Sequence, residues 1–126
     1  MYFSFFSIAI GSILGGWLRW AISLKLNQFF ENIPLGTVVV NLLGAFIIGL
    51  AVSFFSNSSL SSNYKLLIVT GFCGGLTTFS TFSIEVVTLL QSGKFDYALF
   101  TIFIHVLGSL LFTYLGIVTY QIGISH

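Results

Sequence analysis

Polar residues in this chain are confined to short intervals between long apolar runs. Four runs stand out: Tyr2–Leu24, Leu35–Phe55, Tyr64–Leu90 and Tyr97–Ile122. Each offers the roughly 20 apolar residues that a helix needs to cross the hydrocarbon core of a bilayer. The connections Lys25–Ile33, Ser56–Asn63 and Gln91–Asp96 are short, and the middle one reads as a plain polar turn. Pro34 falls where a helix tolerates it, in the first turn of the second run. The pattern predicts an all-α integral membrane protein: four transmembrane helices in one domain over residues 1–126.

The third run departs from the others. As one helix it would be about 40 Å long, against roughly 30 Å of hydrocarbon. It holds Gly71, Gly74 and Gly75, followed by Thr77, Thr78, Ser80, Thr81 and Ser83. Glycine is a poor helix former, and Ser and Thr compete for backbone hydrogen bonds. A break is therefore expected near Gly74–Thr78. Unwound backbone at membrane depth survives only where protein or a water-lined cavity satisfies its polar groups. Such breaks recur at ion sites, because they aim free carbonyls and N–H groups at one point. The competing reading is a tilted or kinked helix that uses its small residues for packing.

Composition agrees with the pattern. Of 126 residues, 56% are hydrophobic and 6% charged, where a soluble domain carries about a quarter charged. Lipid is the solvent that such a surface fits. A net charge of +1 gives no electrostatic footprint for nucleic acid. The single cysteine, Cys73, forbids an internal disulfide and reads as a small core residue. Met1–Ile10 lacks a basic leader and a small-residue cleavage site, so it is expected to begin a retained helix. Orientation follows the Lys and Arg bias. Lys65 stands alone on one side; Lys25 and Lys94 lie on the other, with Arg19 near the same end. So narrow a margin permits insertion both ways, and with it an antiparallel homodimer. A single topology with a weak signal is the alternative.

Ionisable groups within spans are functional candidates. Arg19 follows Gly15-Gly16-Trp17-Leu18. It reads either as a snorkelling side chain, with Trp17 and Trp20 as interfacial anchors, or as a fixed positive charge in a water-filled entrance. Glu85 lies one turn beyond Thr81, where the dipole of a resumed helix favours a carboxylate. That structural role is preferred to proton relay, since no second carboxylate lies within a helical turn. Two histidines without acidic or cysteine partners make a poor metal site, and His126 is terminal. Asn41, in the second run, must find polar partners. It either bonds another helix or donates its NH2 to a passing anion. Thr101, His105, Ser109 and Thr113 recur every four residues and so form one stripe on the fourth helix. The Ser and Thr hydroxyls can satisfy themselves on the preceding turn; His105 cannot do so easily, which favours a polar track. Phe79 and Phe82 share one face just after the break. With 15 phenylalanines in the chain, proximity alone means little. Beside a break, however, their positive ring edges can hold a small anion.

Three segments together resemble a known family: Gly15-Gly16-Trp17-Leu18-Arg19-Trp20, Gly36-Thr37-Val38-Val39-Val40-Asn41-Leu42-Leu43-Gly44 and, above all, Gly71-Phe72-Cys73-Gly74-Gly75-Leu76-Thr77-Thr78-Phe79-Ser80-Thr81-Phe82-Ser83. They are similar to the small bacterial fluoride channels, the Fluc or CrcB family, and the resemblance covers essentially the whole chain. It implies a non-enzymatic channel of the bacterial inner membrane, multi-pass, built as an antiparallel, dual-topology homodimer with two pores. It implies passive, selective fluoride efflux that protects the cell. By motif position, Phe79 and Phe82 present ring edges to the ion, and Asn41 is a pore-lining amide. Ser80 and Thr81 are polar groups of the break, and His105, Ser109 and Thr113 form the fourth-helix track. The first track position is often Tyr in relatives, so His105 is a departure. Arg19 corresponds to an arginine near the aqueous vestibule. The resemblance further implies a structural sodium ion at the dimer centre, held by main-chain carbonyls of Gly74 and Thr77; hard cations prefer oxygen ligands.

Two rival functions carry other expectations. A small proton-coupled multidrug exporter also forms four-helix, dual-topology dimers, but depends on a carboxylate in the first helix; Tyr2–Leu24 contains none. A non-transporting membrane subunit would explain the Gly11-xxx-Gly15 and Gly71-xxx-Gly75 pairs as packing faces, but leaves the broken helix without a task.

Overall fold

The structure, a computed structural model, describes residues 1–125; His126 lies outside the described residues. The elements are α1 (Tyr2–Leu26), α2 (Leu35–Ser56), α3 (Ser62–Lys65), a π-helical segment (Leu66–Cys73), α4 (Gly74–Leu76), α5 (Phe79–Gln91) and α6 (Phe95–Ile124). The pieces from Ser62 to Gln91 make the third span, so four helical spans are long and apolar enough to cross a membrane. The expected boundaries agree to within about two residues. Pro34 sits one position earlier than expected. It is the N-cap of α2, in extended backbone, and its missing N–H costs the helix nothing there.

Side-chain hydrogen bonds mark the two ends of the bundle. At one end, Lys94 Nζ donates to Asn32 Oδ1, and Gly36 N–H donates to Asn27 Oδ1. At the other, Ser4 Oγ donates to Asn63 Oδ1 at 2.9 Å. Alternation follows: α1 and the third span run one way, α2 and α6 the other. Gly93, with φ +76, makes the sharp turn from α5 into α6 that a side chain would resist.

Burial runs opposite to a water-soluble protein. Phe3, Phe5, Trp17, Leu110 and Tyr114 are all more than half exposed. A bilayer absorbs such a surface; water does not. This is a multi-pass membrane protein. Its small interior is set by close helix approach. Gly11 and Gly15 of α1 lie flat against the third span. A Cβ at Gly15 would collide with the carbonyl of Phe72 and come within 2.8 Å of Leu76 N. Gly71 reciprocates, with Gly11 Cα at 3.0 Å from an added Cβ. The two small-residue pairs are thus one packing seam. It is compatible with a transport role, because it lies behind the break.

A contrast between neighbouring glycines tests the seam. Gly15→Val should destabilise the folded protein by about 1–3 kcal/mol or more through overpacking against backbone. Gly16→Val should be near neutral, because a Cβ there meets nothing within 4 Å. Thermal unfolding of both purified variants in detergent reads the difference, and equal melting temperatures would reject it.

Candidate functional site

The third span comes apart at two residues. Thr77 (φ −86, ψ 158) and Thr78 (φ −148, ψ 115) are extended, between the end of α4 and the start of α5. The expected break near Gly74–Thr78 is present, and the uninterrupted kinked helix is not. Extended residues cannot close i to i−4 bonds, so each freed group must be accounted for.

The accounting is specific. Thr78 N–H, which a continuous helix would send to Gly74, donates instead to Asn41 Oδ1 at 2.7 Å. Asn41 Nδ2 returns a bond to Thr78 O at 3.1 Å. The amide of α2 therefore grips the unwound residue by both of its backbone groups. Thr81 N–H, which would go to Thr77, donates to Thr78 Oγ1 at 3.2 Å, so Thr78 caps α5. Thr78 Oγ1 in turn donates to Thr81 Oγ1 at 3.0 Å. On the other flank, Arg19 Nε donates to Gly75 O at 2.9 Å. The carbonyls of Gly74 and Thr77 are the two whose helical donors have been drawn elsewhere. The start of α5 adds N–H groups of its first turn and a partial positive charge.

A groove of about 540 Å³ opens beside the break. Asn41, Thr77, Thr78, Phe79, Phe82 and His105 line its middle, and Ser109 and Thr113 continue it along α6. Its lining contains no Asp, Glu, Lys or Arg. Phe79 and Phe82 meet edge-on, with ring centroids 5.4 Å apart and an interplanar angle of 63°. Phe79 is 75% exposed, whereas Phe82 is buried and lies against His105 at 4.6 Å. Asn41 Nδ2 also meets His105 Nδ1 at 3.0 Å. Thus Asn41, Phe82 and His105, from three elements, form one contact cluster, whereas Ser80 and Thr81, at the head of α5, are not among the residues that line the groove. Ser80 is exposed, with its hydroxyl 3.5 Å from Thr78 Oγ1.

The expected residues do not all behave alike. Arg19 is tied to the backbone of the break, a bond that neither of its sequence readings contained. Thr101 spends its hydroxyl on Tyr97 O at 2.8 Å, the self-satisfied state open to any helical threonine. Two participants were missed. Thr78 is the residue around which the break is organised. Thr37, fully buried, donates to Glu85 Oε2 at 2.6 Å. The spacing held a hint of it, since Thr37 stands one turn before Asn41 on α2, as Glu85 stands one turn beyond Phe82 on α5.

Comparison with known proteins gives a consistent set. Residues 6–117 match the family described as CrcB-like protein, Camphor Resistance (CrcB). A protein of Acinetobacter baumannii (strain SDF), named fluoride-specific ion channel FluC, is 63% identical over 126 residues, the full length of both chains. A protein of the same name from Acinetobacter baylyi is 60% identical over 121 residues, 96% of each chain. Another, from Pseudomonas syringae pv. maculicola, is 57% identical over 115 residues, 90% of this chain and 91% of its own.

Proposed function

The chain belongs to the CrcB family, and from that premise we propose that it is a fluoride-specific ion channel. It conducts fluoride passively out of the bacterial cell across the inner membrane and so limits fluoride toxicity. The observation that carries the reading is the full-length likeness to proteins named as fluoride channels. The groove supports it: donors and aromatic edges converge there, with no formal charge in the lining. A small anion must exchange its water for such partners to pass. Phe79 and Phe82 offer ring edges and Ser109 and Thr113 offer hydroxyls; Ser80 and Thr81, outside the lining, would add theirs where the path passes the head of α5. The carboxylate of a proton-coupled exporter is missing from α1, and the relatives' names also favour the channel.

The working unit is an antiparallel homodimer of two oppositely inserted copies, with two pores. Two features of the chain support a second copy. The groove stands open on the face where unwound backbone lies, and bilayer lipid cannot satisfy such backbone. Phe79, beside it, is 75% exposed. The reading includes a structural sodium ion between the two breaks, with Gly74 and Thr77 carbonyls as ligands. The residues fit the ion in chemistry, because both carbonyls have lost their helical donors and hard cations take oxygen. Two oxygens from one chain are too few, so a second copy would supply the rest. When bound, the cation would offset the carbonyl dipoles and hold two breaks together.

Reconstituted into liposomes loaded with fluoride or chloride, the purified protein should release fluoride and retain chloride once potassium ionophore is added. A folded protein that releases neither would overturn the assignment. Drug uptake driven by a proton gradient would favour the exporter.

A further inference from the structure

A second groove, of about 460 Å³, lies between the entry of α2 and the first turns of α6. Leu35 and Val38 of α2 and Tyr97, Phe100 and Ile104 of α6 form its walls, and the α1–α2 connection closes one end. It is separate from the groove at the break. At about 100° per residue, Tyr97, Phe100 and Ile104 lie roughly 150° round α6 from His105, Ser109 and Thr113. The two grooves therefore flank the contact of α6 with α2 on opposite sides. A second copy seated on the break leaves this one turned to the bilayer. Tyr97 and Ile104 are about 10 Å apart along the helix axis, against roughly 15 Å of hydrocarbon in one leaflet. The groove thus runs from the membrane surface well into a leaflet.

Hydrocarbon has to fill the space between the walls, because they offer water no partners and an unfilled void forfeits dispersion contacts. Any acyl chain does this equally well, since lipid tails are as apolar as leucine. Selection therefore falls to the end of the groove where polar groups gather. Glu31 and Asn32 are part of the lining there, and Glu31 is exposed. Lys94 Nζ donates to Asn32 Oδ1, which spends one of its three hydrogens on a neutral amide. Tyr97, 41% exposed, brings a hydroxyl at the level where tyrosines meet headgroups. The ammonium held on Asn32 and the carboxylate of the preceding residue thus belong to one end of the groove. A phosphate alone would be drawn to Lys94 and repelled by Glu31. A headgroup that carries both a phosphate and an ammonium satisfies both.

We infer that this groove is the seat of an aminophospholipid: its phosphate takes Lys94 Nζ, its primary ammonium takes the Glu31 carboxylate, and one acyl chain lies between α2 and α6. The inference rests on the membrane-spanning fold and not on the fluoride-channel reading. The bound lipid ties the α1–α2 connection to the head of α6, the same two segments that the Lys94–Asn32 bond joins.

Competition among three lipids tests this. Phosphatidylethanolamine, phosphatidylcholine and phosphatidylglycerol with identical acyl chains are added in equal amounts to the delipidated full-length protein in detergent, and retained lipid is read by native mass spectrometry. Phosphatidylcholine carries the positive charge but has no N–H for the carboxylate, and phosphatidylglycerol has no ammonium. Phosphatidylethanolamine should be retained over either by roughly threefold or more, the scale of one ion pair at a wet surface. Glu31→Gln should bring it down to the level of phosphatidylglycerol. Lys94→Gln should lower retention of all three lipids by a similar factor. Ile104→Trp should fill the groove and lower phosphatidylethanolamine retention with both charges intact. Equal retention of the three by the native protein, a preference for phosphatidylglycerol, or a preference for phosphatidylethanolamine over it that survives Glu31→Gln overturns the inference. Unchanged retention by folded Ile104→Trp also overturns it, by placing the headgroup elsewhere. So does a native protein that retains no lipid while Ile104→Trp turns a dimeric mass into a monomeric one, which gives the groove to a second copy. If Ile104→Trp does not fold, the two charge variants, whose side chains lie at the membrane surface, still separate the outcomes. None of these measurements reads fluoride, so a failure of the channel reading leaves the test intact.

Discussion

Phe79→Ile should cut fluoride efflux by on the order of tenfold to a hundredfold while the protein still folds and elutes as the unsubstituted protein does. Phe79 is 75% exposed, so its ring contributes little to the packing of the chain itself. Isoleucine keeps an apolar group of similar reach but has no quadrupole. What is lost is the positive ring edge beside the break, at the head of α5. Aromatic electrostatic contacts are worth about 1 kcal/mol each, more where water is excluded, and each 1.36 kcal/mol in a barrier is about tenfold in rate. Phe82→Ile makes a useful comparison, because Phe82 is buried against His105 and within the cluster of Val86, Leu89 and Ala98. It should lose efflux and also unfold at a lower temperature. Efflux through Phe79→Ile at the native rate, in liposomes with matched protein content, would remove this ring from the ion path.

The contrast between these two phenylalanines could not be read from the chain. Their shared face followed from a spacing of three, and their nearness to the break followed from Gly74, Gly75 and the Thr/Ser cluster. Which ring turns inward is decided by α6, whose His105 lies over Phe82. The general rule is visible elsewhere. Features written in contiguous residues were legible: the four spans, the polar turns and the unwinding at Thr77–Thr78. Features written in pairs distant along the chain were not. Asn41 and Thr78 are separated by 37 residues, and Asn41 and His105 by 64. Asn41 was legible as an amide in need of partners, but its two alternatives, helix bonding or anion binding, differ only in what stands opposite.

The π-helical winding of Leu66–Cys73 was illegible for another reason. A helical period is recognised by polar residues recurring on one face, and Leu66-Leu67-Ile68-Val69-Thr70-Gly71-Phe72-Cys73 offers almost none. Both windings bury the same kind of surface in lipid. The segment packs against α1 along the seam where Gly11 and Gly15 let backbone approach backbone. π-bulges gather at functional sites in other proteins, and this segment leads through the single turn of α4 into the break.

Breaking the balance of lysines should abolish activity without touching the pore. The bonds at the bundle ends put Lys94, paired with Asn32, at the end opposite the Ser4–Asn63 contact, near which Lys65 lies. Lys25, in the last turn of α1, belongs with Lys94. Insertion in both directions needs these two groups to remain nearly matched. Lys65→Gln removes the lysine from one end and should drive most copies into a single orientation. Lys25→Gln combined with Ser59→Lys and Ser62→Lys leaves Arg19 and Lys94 against three lysines, shifts the excess to the other end and should drive the opposite orientation. If the channel forms only from oppositely inserted copies, each variant alone should lose most of its fluoride efflux in vesicles, by roughly tenfold or more where the minority orientation falls below about a tenth. Expressing the two together should restore it, because each supplies the orientation that the other lacks. The substituted side chains stand at the membrane surface, away from Asn41, Phe79 and Phe82, so restoration by mixing separates a topology defect from a pore defect. Cysteine labelling from each side reads the orientation independently. Full efflux from one variant whose copies all label from the same side would exclude the antiparallel dimer and leave the ion path to a single chain or a parallel pair.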